Sequence, residues 1–323
     1  MKILVAPLNW GLGHATRCIP LIKRFVNRGD EVVLGGDGDS LALLKKHFPQ
    51  LRSVDLGHLS VRYSSFGSQV GAMLRALPSF VRFCREDRRK VETLQHDEPF
   101  DLIVSDNRFN LLPRPSMRRS ACRTVYVTHQ LFIRLPRSWR WLEPLADHVH
   151  AIFYNRFDEI WVPDSPDSRL SGELSNRRSV GDKVRFIGPL SRFRSASEYD
   201  VASAPDYDAV AVLSGPEPQR TLFEKTIVRR FDCSNLRVLV VQGKIGDPAT
   251  SVRQGNITFV PYLDDDTLAA VLLKTRRIIA RSGYTTVMDI EKLGLMTKTE
   301  FHPTPGQSEQ EYLMSRLPGI AGC

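Results

Sequence analysis

Three segments carry residue types and spacings suited to chemistry on a charged, hydroxyl-bearing ligand. Near the N-terminus, Asn9-Trp10-Gly11-Leu12-Gly13-His14-Ala15-Thr16-Arg17 follows an apolar run. Two glycines at a strand-to-helix turn let the backbone approach a ligand closely and leave helix N-terminal amides open to it. His14 then stands on the first helical turn. The positive end of a helix disfavours an imidazolium, so His14 is expected to be neutral and able to take a proton or orient a hydroxyl. The dinucleotide pattern G-x-G-x-x-G is met only in part, because Thr16 stands where its third small residue should be. Asp37 takes the place of that motif's ribose acid.

The other two segments lie in the second half, and a polar loop follows them. Ser214-Gly215-Pro216-Glu217-Pro218-Gln219-Arg220 opens a helix, and its amides and hydroxyl suit a phosphate, with Arg220 placed to pair with the charge. Arg281-Ser282-Gly283-Tyr284-Thr285-Thr286 is a second glycine turn into a helix that carries Asp289, whose carboxylate can accept both hydroxyls of a ribose. Pro303-Thr304-Pro305-Gly306-Gln307-Ser308-Glu309-Gln310 reads as a rigid loop with several amide and hydroxyl donors. Taken singly, these are a capped helix start, a βα turn and a surface loop. Three successive junctions of one lobe together fit a nucleotide-diphosphate pocket.

The elements that must position these residues alternate in type. Ile3–Ala6, Glu31–Leu34, Asp101–Ser105, Thr124–Thr128 and Glu159–Val162 read as buried strands, with helices at Ala15–Arg28 and Val70–Gln95 between them. Pro163 to about Pro205, rich in Ser, Asp, Arg and Pro, breaks the rhythm. It holds one strand-like island, Val184–Ile187. Strands at Asp208–Leu213, Leu236–Val241, Ile257–Val260 and Arg277–Ala280 then alternate with helices at Glu217–Phe231, Asp265–Lys274 and Thr285–Leu293. Buried strands separated by helices predict parallel, doubly wound sheets, with ligands outside the carboxyl ends of the strands.

Length and composition set the bounds. A chain of 323 residues, 42% hydrophobic and 25% charged, fits about two domains of roughly 150 residues and excludes wholesale disorder. No apolar run approaches the roughly 18 residues of a membrane span, and Pro7 ends the N-terminal apolar run too early for a signal-peptide core. Cys18, Cys84, Cys122, Cys233 and Cys323 are odd in number, far apart and without a C-x-x-C pair. That argues for a reducing compartment and against a disulfide framework or a zinc site. The net charge of +9, from 45 basic and 36 acidic residues, suits a polyanion, an anionic membrane surface or a phosphate-bearing substrate.

Gly11-x-Gly13-His14-x-x-Arg17, together with Arg281-Ser-Gly-x-x-Thr-x-x-Asp289 and the Gln-bearing loop, resembles the GT-B glycosyltransferases. Within them it is most similar to family 28, which includes the N-acetylglucosaminyltransferase that forms lipid II. The likeness spans most of the chain and includes Ser105-Asp106-Asn107-Arg108, Thr128-His129-Gln130 and Trp161-Val162-Pro163-Asp164. It implies two Rossmann-like domains facing across a cleft, with residues 1–188 binding the acceptor and 189–323 binding a nucleotide sugar, usually a UDP sugar. The reaction it implies is an inverting, metal-independent hexosyl transfer that needs no cofactor beyond the donor. By motif, Asp289 matches the ribose acid, normally Glu, and Ser214 and Gly215 match the phosphate turn. Arg281, Ser282, Gly283 and Thr286 match the turn before the ribose helix. Glu309 and Gln310 match the loop that reaches the donor sugar, and Gly11, Gly13 and His14 match the glycine loop at the reacting centre.

Helix N-termini and Arg220 can stabilise the charge that develops on a diphosphate leaving group without a divalent ion. The acceptor hydroxyl needs a base, for which His14, Asp106 and His129 are the candidates. The family usually continues into a helix that crosses back to the first domain, whereas Cys323 comes only 13 residues (323 − 310) after Gln310, so a shortened member is expected.

Between Asp106 and Glu143 stand eight arginines (108, 114, 118, 119, 123, 134, 137 and 140) and no acid, with Leu131, Phe132, Ile133, Leu135, Trp139 and Trp141 among the later ones. This composition suits a polyprenyl-phosphate or other lipid-linked acceptor and contact with an anionic membrane. The alternative is that Phe132, Trp139 and Leu142 turn inward beneath solvated arginines. Nucleic acid is not expected as a partner, since it leaves the second-half pocket without a purpose. The expected location is the cytoplasm, at the inner face of the cell membrane where the acceptor is lipid-linked. The rival readings are a sugar-nucleotide epimerase of the same fold, a non-catalytic nucleotide-sugar-binding relative and, more remotely, a dehydrogenase.

Overall fold

A computed structural model describes residues 1–59, 69–117, 121–246, 250–317 and 320–321. Arg118, Arg119 and Cys323 fall outside that set. The chain forms two compact units, one built on residues 1–190 and one on 191–323.

The first unit is a seven-stranded sheet. In chain order its elements are β1 (Lys2–Pro7), α1 (Gly13–Asn27), β2 (Glu31–Gly36), α2 (Gly38–His47), β3 (Ser53–Asp55), α3 (Gln69–Asp97), β4 (Leu102–Asp106), β5 (Arg123–Val127), α4 (Glu143–Tyr154), β6 (Glu159–Val162), α5 (Glu173–Asn176) and β7 (Val184–Phe186). The strands lie in the order β3-β2-β1-β4-β5-β6-β7, all parallel. Ile3, Leu4, Val5 and Ala6 are fully buried, as a central parallel strand covered on both faces requires. One core lies around Leu4, Ile103, Val91 and Phe100, and another around Tyr126, Phe157 and Ile160.

The second unit repeats the plan with β8 (Ala209–Val212), α6 (Gln219–Phe231), β9 (Val238–Val241), β10 (Val252–Gln254), β11 (Ile257–Val260), α7 (Asp265–Lys274), β12 (Arg277–Arg281), α8 (Tyr284–Lys292), β13 (Thr299–His302), α9 (Ser308–Arg316) and β14 (Ile320–Ala321). Its order is β10-β11-β9-β8-β12-β13-β14, parallel except for β10. Phe223, Ile227 and Phe231 of α6 pack on Ala211, Val238, Val240 and Ile279 in its core.

Each sheet reverses its strand order at one place, between β1 and β4 in the first and between β8 and β12 in the second. A crevice opens at the carboxyl ends of the strands on either side of such a point, because the two connections leave toward opposite faces. Pro7 pairs with Asp106 at the first reversal, and Ala280 with Val212 at the second. The N-terminal glycine loop sits at the first place and the Ser214 and Arg281 turns at the second, while the stretch 303–310 follows β13. One expectation is corrected here. The stretch 303–310 is not loop throughout, because α9 begins at Ser308 and Glu309 and Gln310 lie in its first turn. Among the described residues, no helix is long and apolar enough to cross a membrane.

Candidate functional site

The first reversal gathers a closed polar constellation. His14 and Arg17 lie three residues apart on α1 and so share a face. Asp106, the last residue of β4, is fully buried beside them. His14 Nδ1 is 2.7 Å from Asp106 Oδ1, and Arg17 donates to both Asp106 oxygens through Nε and a terminal nitrogen. Another Arg17 nitrogen is 3.0 Å from His129 Nδ1, just past the end of β5, and Cys18 Sγ lies 3.7 Å from Asp106 Oδ2. A guanidinium only donates, so His129 accepts at Nδ1. His14 Nδ1 lies 2.7 Å from Asp106 Oδ1, which only accepts, and 3.0 Å from a terminal Arg17 nitrogen, which only donates; the shorter contact, to the carboxylate, places the His14 proton on Nδ1 and leaves the Nε2 lone pair for a ligand.

The electrostatics divide the roles. Burial raises the Asp106 carboxyl, but the charges and hydrogen bonds of Arg17 and His14 outweigh it and bring its pKa down to about 2. Burial, reinforced by the Arg17 charge, holds His14 below the ordinary imidazole value of 6.5 against the opposing pull of Asp106. Asp106 is therefore a permanent carboxylate that orients the imidazole, and His14, partly open to solvent, is neutral at pH 7. Of the three candidate bases, Asp106 has its oxygens committed to Arg17 and His14, and His129 turns one ring nitrogen to Arg17. Sequence reading gave Arg17 only as part of a motif. Its spacing from His14 was the available signal, and its full burial is what makes it the organising charge.

The second reversal brings together two of the three predicted segments. Leu213 leads from β8 into Ser214-Gly215, and Gly215 has φ +95°, which favours glycine. Arg281 ends β12 beside it and is followed by Ser282 and Gly283, with Thr286 half-buried on α8. Arg281 is buried and donates to the carbonyls of Pro303 at 2.7 Å and Gln219 at 3.4 Å. Its guanidinium lies 4.0 Å from the Phe223 ring centroid. Its Nε meets no acceptor and no carboxylate forms an ion pair with it among the described residues, and burial lowers its pKa to about 10. It is a buried cation with only carbonyls and a ring around it, next to the first turn of α6.

The remaining predicted residues are tied into the protein. Arg220 donates to Glu217 Oε1 and to the Gly243 carbonyl, both at 2.9 Å, so its charge already has a carboxylate. Gln310 accepts from the Thr304 amide at 2.8 Å and takes the Ser282 hydroxyl on its carbonyl at 2.9 Å, pinning the 303–310 stretch to the glycine turn. Asp289 accepts from Ser191 Oγ at 2.7 Å and from Arg192 Nε at 3.2 Å, while Arg192 also pairs with Asp265 at 3.2 Å. Burial lifts the Asp289 carboxyl above the ordinary carboxylate value against the pull of Arg192 and Ser191. Ser191 and Arg192 were not legible as site residues, because they are distant in sequence and follow no motif.

No family model matches the chain. It is 22% identical over 323 residues to an uncharacterized glycosyltransferase of Methanosarcina mazei, covering 96% of this chain and 82% of that one. It is 21% identical over 331 residues to another from Methanosarcina acetivorans, with the same coverage. Among solved structures it superposes on the glycosyltransferase SnogD of Streptomyces nogalater with TM-score 0.61 at 17% identity, covering all of this chain and 86% of that one. The calicheamicin glycosyltransferase CalG4 gives TM-score 0.61 at 16% identity, over 99% and 85% of the two chains. The chain is an α/β protein with two parallel-sheet domains and has the GT-B fold that these glycosyltransferases share.

Proposed function

We propose that this protein transfers a sugar from a nucleotide sugar to an acceptor hydroxyl by a single inverting displacement. The observation that carries the reading is the His14 imidazole at the first reversal, neutral and turned by the buried Asp106 so that Nε2 is left to take the acceptor proton. The acceptor oxygen forms its bond to the anomeric carbon as the bond to the diphosphate oxygen breaks, and the acceptor proton passes to His14.

The donor belongs to the second unit. The turn Ser214-Gly215, the N-terminus of α8 and the buried Arg281 supply positive potential for the diphosphate leaving group, so the transfer needs no metal ion. Arg281 takes the role first given to Arg220, since it lacks a carboxylate and Arg220 has one. The expectation of a UDP sugar and of a lipid-linked acceptor, as in family 28, is retained.

The test is calorimetry of nucleotide sugars with the full chain, followed by transfer of the bound sugar from labelled donor. A donor that binds wild type and loses about tenfold or more in affinity with Arg281→Met supports the reading. No binding by any nucleotide sugar overturns it. Release of an altered sugar nucleotide without an acceptor assigns the chain to the epimerases instead.

A further inference from the structure

The arginine-rich stretch is not one basic surface. Arg108 is fully buried between Asp37 and Asp87, Arg114 pairs with Glu92 and Arg123 with Glu159. Arg134 pairs with Glu173 and Glu143. Arg137 and Arg140 remain exposed, with no acidic partner among the described residues. They lie on the 3-10 turn Arg137–Leu142, which runs directly into α4.

The same arm carries an apolar surface that faces out. Trp139 is 44% exposed and Trp141 74%, and on α4 Leu145 is 60%, Val149 46% and Ile152 55% exposed. Leu145, Val149 and Ile152 are spaced i, i+4, i+7 and form one stripe. The opposite side of α4 accounts for the helix's own packing: His150 and Phe153 stack on Phe109. Both acids of α4 are withdrawn to that side. Glu143 pairs with Arg177 at 3.1 Å, and Asp147 accepts the Ile133 amide at 2.6 Å and pairs with Arg177 at 3.3 Å. Burying those acids next to Arg177 leaves an outer face of tryptophan, aliphatic side chains, two arginines and His148, without a negative charge.

We propose that this face, from Arg137 to Ile152, docks the protein flat on an anionic lipid bilayer. An interfacial helix inserts its apolar stripe at headgroup level, where tryptophan is favoured, while flanking arginines meet lipid phosphates. The uncompensated positive charge among the exposed apolar groups is what selects anionic lipid over another protein's apolar surface. The inference does not rest on the transferase reading, because lipid binding and sugar transfer are measured separately.

The experiment is flotation of the full chain with vesicles of phosphatidylcholine alone or with phosphatidylserine. Wild type is expected to float with the phosphatidylserine vesicles and to stay down with the neutral ones, and added salt is expected to release it. Trp141→Ser with Leu145→Ser and Ile152→Ser, and separately Arg137→Glu with Arg140→Glu, are each expected to lower the bound fraction by about tenfold or more. Every one of these side chains is exposed, so circular dichroism and melting temperature should match wild type. Wild type that stays down with both vesicle types, or variants that float as well as wild type, overturn the proposal. So does a vesicle-free dimer that the serine variants break, which assigns the face to a second copy of the chain.

Discussion

Asp106→Asn tests the constellation most directly. The native carboxylate faces donors on all sides, His14 Nδ1 at 2.7 Å and two nitrogens of Arg17. An asparagine amide offers one acceptor and one donor group, so it cannot accept from both neighbours. If its oxygen faces Arg17, its NH2 faces His14, whose Nδ1 must then accept and whose proton moves to Nε2. That tautomer has no lone pair for the acceptor hydroxyl. If the amide turns the other way, NH2 meets the guanidinium. In either pose Arg17 loses its counter-charge while remaining buried, which costs about 3–5 kcal/mol of stability. Loss of the oriented base lowers kcat by about 10²–10⁴-fold.

His14→Gln separates the two effects. It removes the base but leaves Arg17 paired with Asp106, so kcat should fall by a similar factor while the melting temperature changes far less. The double variant should be no slower than either single one, because both remove the same step. Steady-state kinetics and thermal unfolding of the three proteins decide the matter. Folded Asp106→Asn that keeps kcat within about threefold of wild type, far short of a lost base, would refute the role of the dyad. The pH profile adds a check. The acid limb of kcat/KM should lie below the ordinary 6.5 of His14, and it should move further down in Asp106→Asn, since the carboxylate is what raises the imidazole.

Asp87 gives a pH-dependent stability. Burial, only partly offset by Arg108 and the Gly57 amide, raises its pKa to about 6. A carboxyl raised in the folded state contributes stability that is complete below about pH 4 and lost as pH rises through 6, so between pH 5 and 7.5 wild type should lose about 1–2 kcal/mol relative to Asp87→Asn by chemical unfolding. Equal slopes in the two proteins would count against it. Asp289→Asn should destabilise the ligand-free protein because it weakens the tie to Ser191 and Arg192, whereas a residue that only binds ribose would change the melting temperature solely in the presence of donor. Gly35→Ala should cost about 1–3 kcal/mol, because the new methyl would lie 2.9 Å from Leu56 Cδ1 and 3.0 Å from Leu4 Cδ1 in a filled core. An unchanged unfolding midpoint would show that the core yields there.

The local patterns were legible because they depend on near neighbours. The apolar run Ile3–Ala6, the glycine turns and the 3.6-residue periodicity of α1 and α7 report what each segment buries, and they located the strand-to-helix junctions where the candidate groups stand. The helices α2 and α4 were passed over: α2 opens on Gly38 with weak periodicity, and α4 is apolar on both sides. The second apolar side of α4 hid the helix from a search for one buried stripe.

Sequence by itself determined two parallel α/β halves, the glycine turns at their strand ends and His14 as a base candidate. Only the tertiary structure decided which charges are spent. Whether an arginine is free for a ligand depends on what folding sets within about 4 Å of it, and those partners come from remote positions. Arg17 proved to be held by Asp106, Arg220 by Glu217 and Asp289 by Arg192, whereas Arg281 was buried without a carboxylate. Strand order did the rest, because the reversals at β1/β4 and β8/β12 follow from which strands pair, a choice that no local pattern records.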